Sequence, residues 1–135
     1  MRFEEIGPVP PIRVRLMHSR KAYLKALRRF GAGADEVAEM LGWAEATTST
    51  FTVEGVGLCH IVYMRPDLER SAAEDAGLIA HEATHVMQEY MAGIGEREPS
   101  DEFEAYVTQA VTTRLVGEHY RWKQRQIDKR DGRGR

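Results

Sequence analysis

One five-residue stretch limits what this chain can become: His81-Glu82-Ala83-Thr84-His85. The residues around it read as a single helix from about Ala72 to about Ala92. Ser71 and Glu74 have the spacing of a capping box, in which a hydroxyl and a carboxylate each accept from an otherwise unpartnered backbone N–H. Gly93 and Gly95 mark the stop. The run Ala76-Gly77-Leu78-Ile79-Ala80 is apolar, so the two histidines emerge from a partly buried helix. Residues four apart on a helix lie one above the other, so His81 and His85 can address one point. Glu82 follows about a hundred degrees round. Burying such groups unpartnered costs about 1–3 kcal/mol each, and a shared metal ion removes that cost. Zinc suits two neutral imidazoles with a carboxylate and a position left open for water. A carboxylate beside that water can take its proton, which makes Glu82 the candidate general base. The pattern points to hydrolysis of peptide bonds.

Two histidines do not hold a catalytic zinc alone, and a third protein donor is expected. A histidine six residues after His85 would serve, but Met91 stands there. The next helix, predicted from about Asp101 to about Trp122 behind a Ser100 cap, offers Glu102 and Glu104. They lie about 200° apart and cannot both face one ion. Its apolar stripe of Phe103, Tyr106, Val107, Ala110 and Val111 runs between them. Tyr106, one turn beyond Glu102, could bind a developing oxyanion or orient a ligand, which favours Glu102. His119 is a more distant candidate.

The rest of the chain supplies a scaffold. Ile12 to His18 alternates apolar and polar and predicts a half-buried strand, with His18 at a turn. Ser19 caps a helix over Arg20 to Phe30 whose outer face is cationic. A shorter helix follows over Asp35 to Leu41, then Trp43, expected in the core. Thr47–Val53 and Val56–Met64 predict a hairpin turning at Glu54-Gly55. His60 in its second strand is expected to be a hydrogen-bonded core residue. Cys59, the sole cysteine, is expected to be a buried structural thiol.

The net charge of −2 argues against a global basic field, so nucleic acid is not an expected partner. The charge is nonetheless uneven. From Arg121 to the end there are seven Lys/Arg and two Asp. Residues 123–135 are predicted to be a basic, disordered tail behind a single domain over residues 1–122. The first residues lack the cationic start and apolar run of a signal peptide, and no stretch approaches a membrane span. With one cysteine, this predicts a cytoplasmic protein with no membrane partner.

Leu78-Ile79-Ala80-His81-Glu82-Ala83-Thr84-His85-Val86-Met87-Gln88, followed by Pro99-Ser100-Asp101-Glu102-Phe103-Glu104-Ala105-Tyr106-Val107, resembles the small zincin-like metallopeptidases encoded by tailed bacteriophages and prophages. The likeness covers roughly residues 56 to 115. More distantly the chain is similar to gluzincins, where a glutamate opening an E-x-x-A-D or E-x-x-A-N motif is the third ligand. The resemblance implies a zincin-like α+β fold with helices packed on one side of a small, mostly antiparallel sheet. It implies zinc held by His81, His85 and Glu102, with Glu82 as general base and then acid to the leaving amine. The substrate would be a protein or peptide, extended along a strand edge such as that of Val56–Met64, in the host cytoplasm. Tyr106 stands where those families carry Asp or Asn to buttress a zinc histidine, so that support must come from elsewhere or from the phenol. Two other readings are a metal-stabilised interaction module with a closed site, and an antirepressor-like peptidase that cleaves a regulator.

Overall fold

The most apolar strand of the sequence becomes the middle of the sheet. The computed structural model describes residues 1–7, 10–31, 33–42 and 44–133, without the side chain of Met40. Trp43 therefore lies outside the described residues, as do Gly134 and Arg135 at the end of the basic segment. In chain order the elements are β1 (Glu4–Ile6), β2 (Ile12–Met17), α1 (Arg20–Arg29), α2 (Ala34–Met40), β3 (Ala46–Val53), β4 (Gly57–Met64), α3 (Ala72–Gly93) and α4 (Asp101–Arg130). The strand order is β1-β2-β4-β3. β3 and β4 form the expected antiparallel hairpin, with Ala46 opposite Met64 and Val53 opposite Gly57. Gly55 and Gly57 turn it with φ of 78° and 114°, conformations open to a residue without Cβ. β2 runs parallel to β4, and β1 pairs antiparallel with β2. The fold is α+β around a mixed four-stranded sheet.

Helices cover both faces of that sheet rather than one. The reason is written in β4, where both alternating sets are apolar. Val62 and Met64 join Ile12 and Val14 under Ile79, Val86 and Tyr90 of α3 and Val107, Val111 and Leu115 of α4. Cys59, Ile61 and Tyr63 meet Tyr23, Leu24 and Leu27 of α1 on the opposite face. A strand buried on both sides reads as a near-continuous apolar run. Because β2 and β3 flank β4, its edges are both paired. The open edges belong to β1 and β3, so the strand edge expected at Val56–Met64 is instead that of β3.

α4 continues to Arg130, so residues 123–130 are helical and not the disordered tail expected. What holds this extension is a carboxylate. Asp75 of α3 is fully buried. It accepts from Lys123 Nζ at 2.6 Å and from Arg70 Nε at 2.8 Å. His119 Nε2 stands 2.9 Å from its Oδ2, close but poorly aligned for a hydrogen bond. A neutral His119 that keeps its proton toward this carboxylate accepts at Nδ1 from His18 Nε2, 2.9 Å away. His18 in turn stacks on Trp122 at 3.8 Å and 2°. It is thus a packed link between β2 and α4, not the free turn residue expected. No helix among the described residues is long and apolar enough to cross a membrane.

Burial pushes the Asp75 carboxyl up, but the bonds from Lys123 and Arg70, with His119 alongside, outweigh it and hold the pKa at about 2. This stability is present above the ordinary aspartate range and is lost as pH falls toward 2. Burial also keeps His18 and His60 neutral, with pKa values lowered to about 3 and about 4. The unfolded chain takes up protons at these positions below pH of about 6.5, while the folded chain does not. The thermal midpoint, followed by circular dichroism, is therefore expected to fall steadily from pH 7 to pH 4. Asp75→Asn leaves Lys123 without its countercharge and Arg70 with only Glu45, 3.3 Å away, and is expected to cost about 3–5 kcal/mol in denaturant titration.

Candidate metal centre

The five-residue motif lies near the middle of α3, and the helix is fixed at both ends. At the start, Ser71 Oγ accepts from Glu74 N at 3.1 Å, and Glu74 Oε1 accepts from Ser71 N at 3.0 Å. At the end, Gly93 lies against β4 so closely that an added Cβ would come 2.3 Å from Leu58 Cδ2. Between these points Ile79, Ala83, Val86 and Tyr90 are buried toward the core. His81 and His85 emerge on the exposed side, and Glu82 turns inward.

The two imidazoles converge. Their Nε2 atoms are 3.1 Å apart, with ring centroids 4.8 Å apart and planes at 75°. One donor atom from each of His81, Glu82 and His85 lies within 4.8 Å of the others. Glu82 is 3% exposed, and its Oε2 has no hydrogen-bond partner among the described residues. Burial pushes its carboxyl above the ordinary glutamate range, against the pull of His85 and His81 and of the nearby Thr48 hydroxyl. Two imidazole nitrogens facing one point, beside an unsatisfied carboxylate oxygen, are a donor set that suits a borderline divalent cation. The residues present fit zinc in that respect.

The surroundings are a shallow groove along β3. On one side of the motif Thr47, Thr48 and Thr50 of β3 face His81, Glu82, His85 and Glu89 across a hollow of about 390 Å³. On the other side Ala44, Ala46, Gly77 and Leu78 make a more apolar hollow of about 610 Å³. Ala46, His81 and Glu82 belong to both.

Glu102 and Tyr106 are not brought into this group. The stripe of α4 that packs on α3 and the sheet is Val107, Val111 and Leu115. Glu102 and Tyr106 fall on its outer face, both exposed, Tyr106 by 61%. Glu104 lies on the inner side, half-buried, in a hollow with Met87, Met91, Glu96 and Arg97. That hollow shares no residue with those around His81. His119 is committed to the Asp75 network. His60 is fully buried and shares a 2.8 Å hydrogen bond between Nδ1 and Thr50 Oγ1, as expected of a core histidine. Cys59 is buried, with its thiol pKa raised by burial.

Two features escaped the sequence reading. Glu89 stands one turn beyond His85 on the same stripe, a spacing visible in the sequence. Thr48 and Thr50 alternate toward the motif on β3, which the threonine-rich strand also signalled. Comparison with protein-family models, with curated proteins and with solved structures gives no match for this chain.

The raised pKa of Glu82 carries a sign. A carboxyl that holds its proton longer in the folded state stabilises it at low pH, and that advantage is lost as pH rises through the folded pKa. At neutral pH, metal-free Glu82→Gln is therefore expected to melt higher than the unsubstituted protein. The gap should close near pH 4. Equal midpoints at pH 7 would show that the buried charge is solvated.

Proposed function

We propose that this protein is a zinc-dependent peptidase. The observation that carries the reading is the convergence of His81 and His85 Nε2 beside the buried, unsatisfied oxygen of Glu82. The resemblance to phage-encoded zincin-like metallopeptidases supports it, and within that reading the fold is zincin-like. His81 and His85 would hold the ion. Glu89, the second carboxylate lining the same hollow, lies one turn beyond His85 and outside the group of His81, Glu82 and His85, and is the candidate third donor ahead of Glu102 and Glu104. When bound, zinc supplies a Lewis acid that polarises a carbonyl and acidifies water.

The chain's own residues supply the rest. Glu82, its carboxyl pushed up by burial, stands beside the two imidazoles, where it can accept a proton and return it to a leaving amine. The open edge of β3 can pair with an extended peptide backbone, since unpaired strand groups accept an added strand. The groove then offers that peptide a threonine-lined wall on one side and an apolar one on the other.

Three measurements test this. The purified protein is expected to bind about one zinc per chain by elemental analysis. His85→Ala should abolish that binding, and Glu89→Gln should weaken it by about 10-fold or more, while Glu102→Gln leaves it unchanged. Glu82→Gln should keep zinc and lose cleavage of a peptide library read by mass spectrometry. Cleavage surviving in Glu82→Gln would overturn the mechanism, and zinc lost in Glu102→Gln would return that residue to the site.

A further inference from the structure

A second hollow, remote in sequence from the metal motif, collects arginines. It has a volume of about 410 Å³ and is lined by Arg15, His18, Ser19, Arg121, Trp122 and Arg125 among others. Arg15 comes from β2, and Arg121 and Arg125 stand one turn apart on α4. None of the three guanidiniums has an ion-pair partner among the described residues. The carboxylate in the wall, Glu118, is already held by Arg114 at 2.9 Å. Arg15 is clamped by donating from Nη1 to the Arg2 carbonyl at 2.8 Å, and its Nε is shielded from solvent without a partner. The Arg121 fork lies back over Gly117, where an added Cβ would come 3.3 Å from Nη1. Trp122 is held by the His18 stack. This is a preformed, unneutralised cationic cavity.

We propose that this hollow binds phosphates of a nucleic-acid strand. Guanidinium forks match phosphate oxygens in pairs, and phosphate contacts supply most of the affinity of nucleic-acid binding proteins. The cationic surface also extends beyond the cavity. Residues 20–29 hold five basic side chains and no acidic one. Exposed Lys25 and Arg29 follow Ala22, which lines the hollow, along one stripe of α1. The overall charge of −2 does not oppose this, because charge is screened within about 8 Å at physiological salt. An acidic protein fits less well. The large exposed apolar residues among those described are Met1, Val56 and Tyr106, and none lines the hollow. A specific protein interface is built around apolar and aromatic anchors, whereas phosphate contacts need none.

The test uses the full chain and a fluorescein-labelled, 20-nucleotide single-stranded DNA, read by fluorescence polarisation. Binding is expected at low salt and should weaken with a log–log slope of about −2 for three phosphate contacts. Arg121→Glu with Arg125→Glu should weaken it at least tenfold, with circular dichroism and the thermal midpoint preserved. Arg97→Glu, an exposed arginine outside the hollow, should leave it within twofold. No binding, binding intact in the double variant, or equal loss in Arg97→Glu would overturn the proposal. Displacement by polyglutamate as effective as by unlabelled DNA at equal charge would overturn it in favour of an acidic protein partner. None of these outcomes depends on zinc or on cleavage.

Discussion

A carboxylate with no access to water governs how this fold closes. Asp75 sits in the first turn of α3 and gathers Lys123 and Arg70, with His119 alongside, from α4 and the loop before α3. A buried charge is costly unless it is paired and hydrogen-bonded, so these groups are mutually dependent. Lys123 Nζ also donates to the Arg70 carbonyl at 2.7 Å, which ties the loop to the same point. Through His119 the chain of contacts reaches His18 and Trp122, and so fastens β2 to the far half of α4. The two helices that cover this face of the sheet are thereby locked in register with each other.

That lock matters most a turn and a half further along α3. His81 and His85 are exposed and make few contacts of their own, so their positions are inherited from the helix that carries them. The helix is held by its capping box at Ser71, by Asp75 in the same first turn and by the close approach of Gly93 to Leu58. Glu82 depends on a different surface, because it is packed between α3 and the threonines of β3. The motif thus sits at the seam between a rigid helix and the last strand of the sheet. Such preorganisation is what a site needs if its groups are not to reorient as charge develops.

Much of this was legible in the residues. The capping box put the start of α3 at Ala72, where it lies, because two reciprocal side-chain bonds leave little freedom for the boundary. The hairpin of β3 and β4 followed from threonine and valine enrichment around Glu54-Gly55. The covering of both sheet faces was also written in β4, whose two alternating sets are apolar, but a strand buried on both sides has no contrast to reveal it. β1 escaped because three residues beside prolines carry almost no pattern. The extension of α4 was hidden by composition. Lys123-Gln124-Arg125-Gln126 looks like a solvated tail until Lys123 is seen to serve a carboxylate 48 residues earlier. The choice between Glu102 and Glu104 turned on the facing of α4. Two-residue offsets on a helix cannot be resolved until one knows which stripe is buried.

β3 carries a further implication. Its sequence, Ala46-Thr47-Thr48-Ser49-Thr50-Phe51-Thr52-Val53, has no lysine, no proline and no charged side chain, and one of its flanks is unpaired. Natural sheets ordinarily blunt such a border against self-association. Here the blunting devices are missing from the strand beside the histidines. An unpaired, uncharged border of this kind is open to a sister molecule, so self-association at high concentration is the physical consequence of the composition of this strand.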